Sequence, residues 1–189
     1  MAKYDYKPLG NYIDLVNIRN RDLSVTNLVG VSIEKKFIPS IANIIGTDLS
    51  PYKIIKNNQF AYGPVTSRNG DKITIALYKE KDDAILSQAY EVFKIKDENA
   101  LLPDYLKLWV SRPEFDRYAR FNSWGSAREN FSFEDMKDIE IPIPDISIQK
   151  SIAEIYAVYT QRKEINEKLK AQIKDICPIL IKGSLEEAV

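Results

Sequence analysis

The feature that most constrains the fold is a long amphipathic stretch near the C-terminus. From Ile148 to Ile181, apolar residues recur in steps of three and four, the spacing of one helical face, and charged residues fill the other faces. Arg162 interrupts the apolar stripe, and no helix breaker occurs before Pro178. About 30 residues of helix make a rod of about 45 Å. Because a narrow apolar stripe on such a rod needs cover, the pattern favours a second helix, from another copy or another protein.

The alternative is a long helix that lies back on its own domain. The residues predicted to contact a partner helix all belong to the apolar stripe: Ile148, Ile152, Ile155, Tyr159, Ile165, Leu169, Ile173 and Ile176. We therefore predict a globular domain over residues 1–144, the long helix over residues 145–181 and a short tail over residues 182–189.

The first 100 residues predict short strands, because β-branched and aromatic runs alternate with Asn, Gly, Asp and Pro clusters. Residues 87–95 have period-two spacing with apolar and polar groups mixed on both faces, which predicts one strand covered on both faces. Helical spacing follows over residues 103–121, with a break at Arg112–Pro113 because a residue before proline avoids the α-helical region.

A short helix is predicted over residues 133–138, since Ser132 and Asp135 have the spacing of a capping arrangement. Pro142 and Pro144 restrict the segment "IEIPIPDIS" to a sheet edge or a linker. The fold class predicted is α+β: a mixed globular domain followed by one long amphipathic helix able to form a coiled coil.

Composition excludes several functions. The chain has no histidine, which removes the commonest general base and metal ligand. Its one cysteine, Cys177, excludes an internal disulfide and suits a reducing compartment. No apolar run approaches the roughly 20 residues that cross a bilayer, and the N-terminus lacks a signal-peptide stretch. We therefore expect a cytoplasmic protein.

The charge is balanced overall but uneven along the chain. The formal net charge is +0, which argues against a general nucleic-acid coat. Residues 19–72 nevertheless hold eight Lys or Arg against four Asp or Glu, which leaves room for one basic face. The alternative is a solvated surface whose charge is merely uneven.

The stretch "YGPVTSRNGDKI" (residues 62–73) does not form a nucleotide-binding loop. Gly63 and Gly70 lack the required spacing, and a strand-like segment follows where a phosphate-binding helix would begin. The triplet Glu34–Lys35–Lys36 lacks the preceding acidic strand of a metal-dependent nuclease. Because no DNA-methyltransferase tetrapeptide occurs either, we predict a protein that is not an enzyme and has no metal site.

The same stretch is suited to reading DNA. Arginine can form two hydrogen bonds with a guanine edge, and asparagine two with an adenine edge. Arg68 and Asn69 precede Gly70, which permits close approach of the backbone to DNA. The neighbouring Thr66, Ser67 and Lys72 suit phosphate contacts. A second polar cluster has a similar composition: Ser126, Arg128 and Asn130 beside Gly125. Two such loops are able to meet over a groove, although each is equally compatible with a plain hairpin turn carrying a solvated arginine.

The order of motifs resembles one known family. The segments "LLPDYLKLWVSRPEFDRYAR" and "GSARENFSFEDMKDIEIPIPDISIQKSIAEIY" resemble the DNA-specificity (S) subunits of type I restriction-modification enzymes. The matching positions are Gly125, Ser126, Ile141, Pro142, Pro144, Gln149 and Ile152. The resemblance covers roughly residues 85–180, and the portion before it matches only in character.

The resemblance implies a non-catalytic subunit that reads double-stranded DNA. Such subunits recruit methyltransferase (M) subunits, which use S-adenosylmethionine, and ATP-driven restriction (R) subunits. The globular part would be a target recognition domain without a cofactor of its own. The long helix would be the spacer that packs antiparallel on its counterpart and docks the methyltransferases.

The chain departs from the family in having one recognition domain and one spacer helix where two of each are usual. It is therefore predicted to be a natural half-subunit or an excised piece. Two copies paired through residues 148–177 would form a homodimer that reads a symmetric, interrupted site.

The residues predicted to contact DNA fall into three groups. Arg68 and Asn69 are the first candidates for base contacts. The next candidates are Tyr62, Lys72, Arg128 and Ser126, and the predicted phosphate contacts are Arg19, Arg21, Lys35 and Lys36. Two other function classes stay open: a coiled-coil interaction adaptor that binds no DNA, and a nuclease with an unfamiliar metal site.

Overall fold

The structure is a computed structural model that describes residues 5–40, 46–67, 70, 72–126 and 128–186. The chain divides into two compact units, Met1–Lys150 and Ser151–Val189. The sequence placed the boundary a few residues earlier, at 144/145. The difference arises because the first turn of the long helix belongs to the globular unit, where Gln149 is fully buried.

Within the described residues, the first unit holds ten short strands, three short α-helices and one 3-10 helix over Leu9–Asn11. The strands are β1 (Tyr6–Pro8), β2 (Ile13–Val16), β3 (Val29–Val31), β4 (Phe37–Pro39), β5 (Lys53–Ile55), β6 (Gln59–Tyr62), β7 (Ile75–Leu77), β8 (Ala84–Leu86), β9 (Glu91–Ile95) and β10 (Glu140–Pro142). The helices are α1 (Pro103–Val110), α2 (Pro113–Phe121) and α3 (Phe133–Lys137). The predicted α+β class is confirmed.

The core is built on a four-stranded antiparallel sheet in the order β2-β9-β6-β7. Its central aromatic residues, Phe60 and Phe93, stack with ring centroids 5.0 Å apart. Three two-stranded antiparallel sheets complete the unit: β1-β10, β3-β4 and β5-β8. The prediction of one strand over residues 87–95 is wrong, because Ser87 accepts a hydrogen bond from the Tyr90 backbone N–H and closes a turn between β8 and β9.

The helical predictions between residues 103 and 138 are confirmed. Arg112 has an extended backbone (φ −78°, ψ 147°), so α1 and α2 are separate helices. Ser132 and Asp135 form a reciprocal capping box at the start of α3. β10 with its proline pairs only with β1, which is the edge position that the sequence predicted.

Gln149 fixes the start of the long helix on the globular unit. Its Nε2 donates to the carbonyls of Ala100 (2.9 Å) and Pro144 (2.8 Å). Its Oε1 accepts from the Leu102 backbone N–H at 2.9 Å. A buried polar side chain is tolerated when its hydrogen-bonding groups are paired, and this one satisfies three backbone groups from two segments.

The long helix α4 spans Ile146–Glu186 and has 41 residues, which corresponds to about 61 Å. It continues through Pro178 into the predicted tail, because a proline removes one backbone hydrogen bond without ending every helix. Every side chain from Gln161 to Lys182 is exposed. None of the helices in the described part of the chain combines the length and apolarity that a membrane crossing requires.

Candidate nucleic-acid interface

Two polar loops lie side by side at one end of the four-stranded sheet, as their composition suggested. The first follows β6, and the second joins α2 to α3. The Thr66 backbone N–H donates to the Glu129 carbonyl at 3.0 Å, and the Phe131 N–H donates to the Pro64 carbonyl at 2.8 Å. The Thr66 hydroxyl also donates to the Glu129 carbonyl at 3.2 Å. The backbone therefore holds residues 63–67 and 128–131 as one continuous surface.

The second loop is closed into a tight turn that presents Arg128. Trp124 and Asn130 exchange backbone hydrogen bonds of 3.0 and 2.9 Å. Gly125 inside this turn has φ +141°, and a Cβ there would lie 2.2 Å from the Arg128 carbonyl oxygen. Only glycine fits that position, so the glycine of "SWGS" is required by the shape of the turn.

A groove of about 440 Å³ runs beside the two loops. Arg128 is exposed and is the only cation among the described residues that line this groove. The groove is lined by Val31, Ser32, Ile33, Gly63, Pro64, Val65, Thr74, Ala89, Tyr90 and Arg128. A groove with an apolar wall, hydroxyl groups and one arginine matches the chemistry of base edges and phosphate oxygens.

A second groove, of about 580 Å³, contains the predicted Arg19 and Arg21. Arg21 is exposed, whereas Arg19 is half-buried and donates from Nη1 to the Pro51 carbonyl at 2.6 Å. The rest of the lining is polar except for Pro51, with Asn17, Asp48, Ser50 and Gln88. Arg21 is therefore the stronger candidate of the two for a phosphate contact.

The prediction that Tyr62 contacts DNA is wrong for this structure. Tyr62 ends β6 with no exposed surface and packs edge-on against Phe93, with ring centroids 6.3 Å apart. Its hydroxyl is buried without a hydrogen-bond partner. Burial raises the pKa of Tyr62, and the nearby Glu91 and Asp135 raise it further. The side chain is a core residue because both faces of β6 are covered from Phe60 to Tyr62.

The predicted phosphate contact at Lys35 is also wrong. Its side chain is only 9% exposed and lies 2.8 Å from the Asp116 carboxylate. Its ammonium also donates to the Val110 carbonyl. Burial lowers the pKa of Lys35, and the hydrogen bond and charge of Asp116 oppose that shift. Asp116 accepts from the Ile73 backbone N–H as well, so this pair ties the β3–β4 turn and the start of β7 to α2.

Of the other residues predicted to contact DNA, the structure describes some and not others. Arg68 and Asn69 lie outside the described residues. Lys36, Lys72 and Ser126 are exposed. The interface as described therefore combines Arg128 with two backbone-paired loops.

Comparison with known proteins identifies the family. Residues 11–175 match the family described as type I restriction modification DNA specificity domain. The chain belongs to this family. Specificity domains are non-catalytic, in agreement with the sequence-based prediction. No curated protein matches the chain by sequence.

Solved structures show the same fold. The HsdS subunit from Thermoanaerobacter tengcongensis superimposes with a TM-score of 0.67 at 18% identity, covering 98% of this chain and 49% of that one. The type-I restriction-modification S subunit from M. genitalium gives a TM-score of 0.52 at 16% identity, covering 86% of this chain and 40% of that one.

A third match comes from a structure of type I R-M complex assembly and conformational transition. Its TM-score is 0.57 at 12% identity, covering 91% of this chain and 42% of that one. The specificity domain described here thus spans less than half the length of the solved chains it matches.

Two functional candidates in this specificity domain were missed by sequence reasoning. Trp124 is 67% exposed at the base of the Arg128 turn, and Phe121 is 79% exposed at the end of α2. Aromatic side chains supply large apolar contact area at interfaces, which makes these two exposed ones candidates. The signal was present in the tryptophan next to Gly125, within an otherwise polar loop.

The described residues contain no group of three or more Cys, Asp or Glu arranged to hold a metal ion.

The predicted partner-helix residues carry their apolar side chains into solvent. Ile155 is 71% exposed and Ile173 is 58% exposed, whereas Ile152 is half-buried. The others are exposed as well: Ile148, Tyr159, Ile165, Leu169 and Ile176.

Proposed function

We propose that this specificity domain reads double-stranded DNA with the face formed by residues 63–67, 124–126 and 128–131. The observation that carries the proposal is the backbone pairing of the two loops, in a chain whose family reads DNA. Pairing fixes Arg128 and the Thr66 segment relative to each other before DNA arrives. A surface fixed in advance loses less conformational entropy on binding, which favours affinity and a defined register.

The proposed DNA contacts divide into two roles. Arg128 borders the groove beside the loops, and Arg68 and Asn69 remain the predicted base contacts. Arg21, Lys36 and Lys72 are proposed to bind phosphates, which position the protein without reading sequence. This division fits a chain with a net charge of +0, because a local cationic face is enough to hold a duplex.

The proposed assembly is a half-subunit that works as a homodimer in the cytoplasm. Two heads related by a two-fold axis read two half-sites of a symmetric, interrupted target, and α4 sets the distance between them. The same helices dock methyltransferase subunits that bind S-adenosylmethionine, and restriction subunits that use ATP join afterwards. The specificity domain itself needs no cofactor.

The first test selects targets from a randomised duplex library with the tagged full chain. The expected result is enrichment of an inverted repeat with a fixed gap between its halves. Enrichment of a single half-site would retain DNA reading and contradict the dimer. Recovery of no motif, in the presence of a bound methyltransferase subunit, would favour the coiled-coil adaptor that binds no DNA.

The second test is light scattering of the chain, alone and with the methyltransferase subunit encoded nearest to it. A two-fold mass for the chain alone and a defined complex with that subunit are expected. A monomer at micromolar concentration that ignores the methyltransferase would contradict the proposed assembly.

A further inference from the structure

The helix α4 carries information about how two copies pair, not only that they pair. Resting on the proposed half-subunit function, we propose that two α4 helices pack antiparallel with their two-fold axis level with Glu164. In this register, Arg162 of each copy faces Asn166 of the other. The pairing sets the distance between the two DNA-reading heads.

A continuous heptad pattern results when Arg162 and Asn166 are counted with the apolar residues of the stripe; Ile165 then lies at a flanking g position. Alternating steps of four and three run from Ile148 to Leu180 without interruption, which is the a/d spacing of a coiled coil. The a positions are Ile152, Tyr159, Asn166, Ile173 and Leu180, and the d positions are Ile148, Ile155, Arg162, Leu169 and Ile176. The only polar members are therefore Arg162 and Asn166, and both stand at the centre.

This pattern reads the same in reverse, which suits an antiparallel pair in which each a position faces a d position. With the axis level with Glu164, the helices form ten layers. Eight of these layers pair apolar with apolar side chains, and the remaining two pair Arg162 with Asn166. The apolar pairs are Ile148 with Leu180, Ile152 with Ile176, Ile155 with Ile173, and Tyr159 with Leu169.

Other registers bury polar groups against apolar ones. A shift by one heptad in either direction leaves eight layers, and four of these place Arg162 or Asn166 against an apolar side chain. Burying a charge or an amide without a polar partner is costly, so both shifted registers are disfavoured. A parallel pair would instead place the two Arg162 guanidinium groups in one layer, where like charges repel.

The central layers also have matching hydrogen-bonding groups. The Arg162 guanidinium has only donors, and the Asn166 amide oxygen is an acceptor. A single polar layer in a coiled coil is known to specify register at some loss of stability. Cys177 and Pro178 occupy positions outside the a/d stripe, so neither enters the seam.

Disulfide trapping in the full-length chain tests this register. In a Cys177→Ser background, Ile155→Cys and Ile173→Cys face each other only in the proposed pairing. Two control pairs report the shifted pairings: Ile152→Cys with Leu169→Cys, and Ile155→Cys with Leu180→Cys. Each pair is made as two single-cysteine chains, mixed and oxidised, because a layer of facing cysteines satisfies disulfide geometry.

The expected result is a cross-linked dimer in the mixture of the Ile155→Cys and Ile173→Cys chains, with at least tenfold less product in both controls. Each single-cysteine chain oxidised alone should give no comparable product. Cross-linking in a control mixture, or of one cysteine with itself, overturns the register. A two-fold mass without any cross-link also overturns it, because the copies would then pair elsewhere.

A monomer by light scattering would contradict the proposed homodimer itself, so the two failures are distinguishable. A second variant tests the reason for the register. Arg162→Leu combined with Asn166→Leu should raise the melting temperature of the dimer and allow cross-linking in the control pairs. A double variant that keeps the single register would show that the polar layers do not select it.

Discussion

Gln149 and Asn166 are side-chain amides on one helix, and they stand in opposite environments. Gln149 is fully buried, and its hydrogen bonds end on the backbone of its own globular unit. Asn166 is exposed in the centre of an exposed apolar stripe. The buried amide of Gln149 is therefore satisfied within its own unit, whereas the exposed amide of α4 is available to a second molecule.

The largest loss of stability in the globular unit is expected from a substitution of Asp116, which does not involve the exposed part of α4. Asp116→Ala leaves the Lys35 ammonium buried without its carboxylate and also removes the acceptor of the Ile73 N–H. Breaking a buried ion pair from one side typically costs about 3–5 kcal/mol. Urea denaturation of the full chain should show this loss in the transition of the globular unit.

The pH dependence of that variant has a defined sign. Burial lowers the pKa of Lys35 below its ordinary value of 10.5, and Asp116 opposes that shift. Without Asp116 the folded-state pKa falls further, so the unfolded chain binds more protons between that lower pKa and 10.5. The stability lost at neutral pH should therefore recover in part as the pH rises toward 10.5.

A matched control removes the carboxylate of an exposed ion pair. Asp104 lies 2.7 Å from Lys79, and both side chains are more than 40% exposed (43% and 47%). Asp104→Ala should cost less than about 1 kcal/mol, with no recovery at high pH. Equal losses in the two variants would show that Lys35 is not held as a buried ion.

Gln149 is expected to give the second largest effect. Gln149→Ala leaves the Leu102 N–H and the carbonyls of Ala100 and Pro144 without this partner. Unsatisfied buried groups cost about 1–3 kcal/mol each, so a loss of about 3 kcal/mol is expected in urea denaturation. The control Gln161→Ala changes an exposed glutamine of the same helix and should stay within about 0.5 kcal/mol.

Arg128 is expected to affect DNA binding rather than stability. Arg128→Ala should weaken binding of the selected duplex by about 1–3 kcal/mol if it contacts a base, with relaxed specificity at one position. Lys81→Ala is the control, because Lys81 is exposed beyond the end of β7 that lies away from the loops. Fluorescence anisotropy at several salt concentrations distinguishes the roles, since a phosphate contact would weaken all sequences alike and reduce the salt dependence.

How far sequence predicts this molecule depends on how local the signal is. The capping box at Ser132, the break before Pro113 and the helical conformation of α4 are set by neighbouring residues, and the structure confirms all three. The burial of Lys35 and Tyr62 depends on contacts with residues far along the chain. Composition identified them as a cation and an aromatic residue, but burial by α2 and by Phe93 removed both from the surface.

The interface shows the same division. Composition indicated that two Gly-containing polar loops are suited to one surface, and hydrogen bonds between residues more than 60 positions apart hold them together. Trp124 was missed because tryptophan normally predicts burial. Its exposure follows from the turn that Gly125 permits, which is visible only once the backbone is known.

The smallest effect on stability, and the sharpest test of the comparison, is expected on the stripe of α4. Ile173→Asp places a charge in an exposed position, so the unfolding free energy of the globular unit should change by less than about 0.5 kcal/mol. The same charge is costly within an apolar layer, so the two-fold mass of the chain should be lost at micromolar concentration. Ala171→Asp adds an identical charge two residues away, outside the a/d stripe, and should leave the dimer intact. If both variants dissociate, net charge rather than the stripe controls association; if Ile173→Asp destabilises the globular unit, the helix is part of that unit's fold and not a surface that it displays.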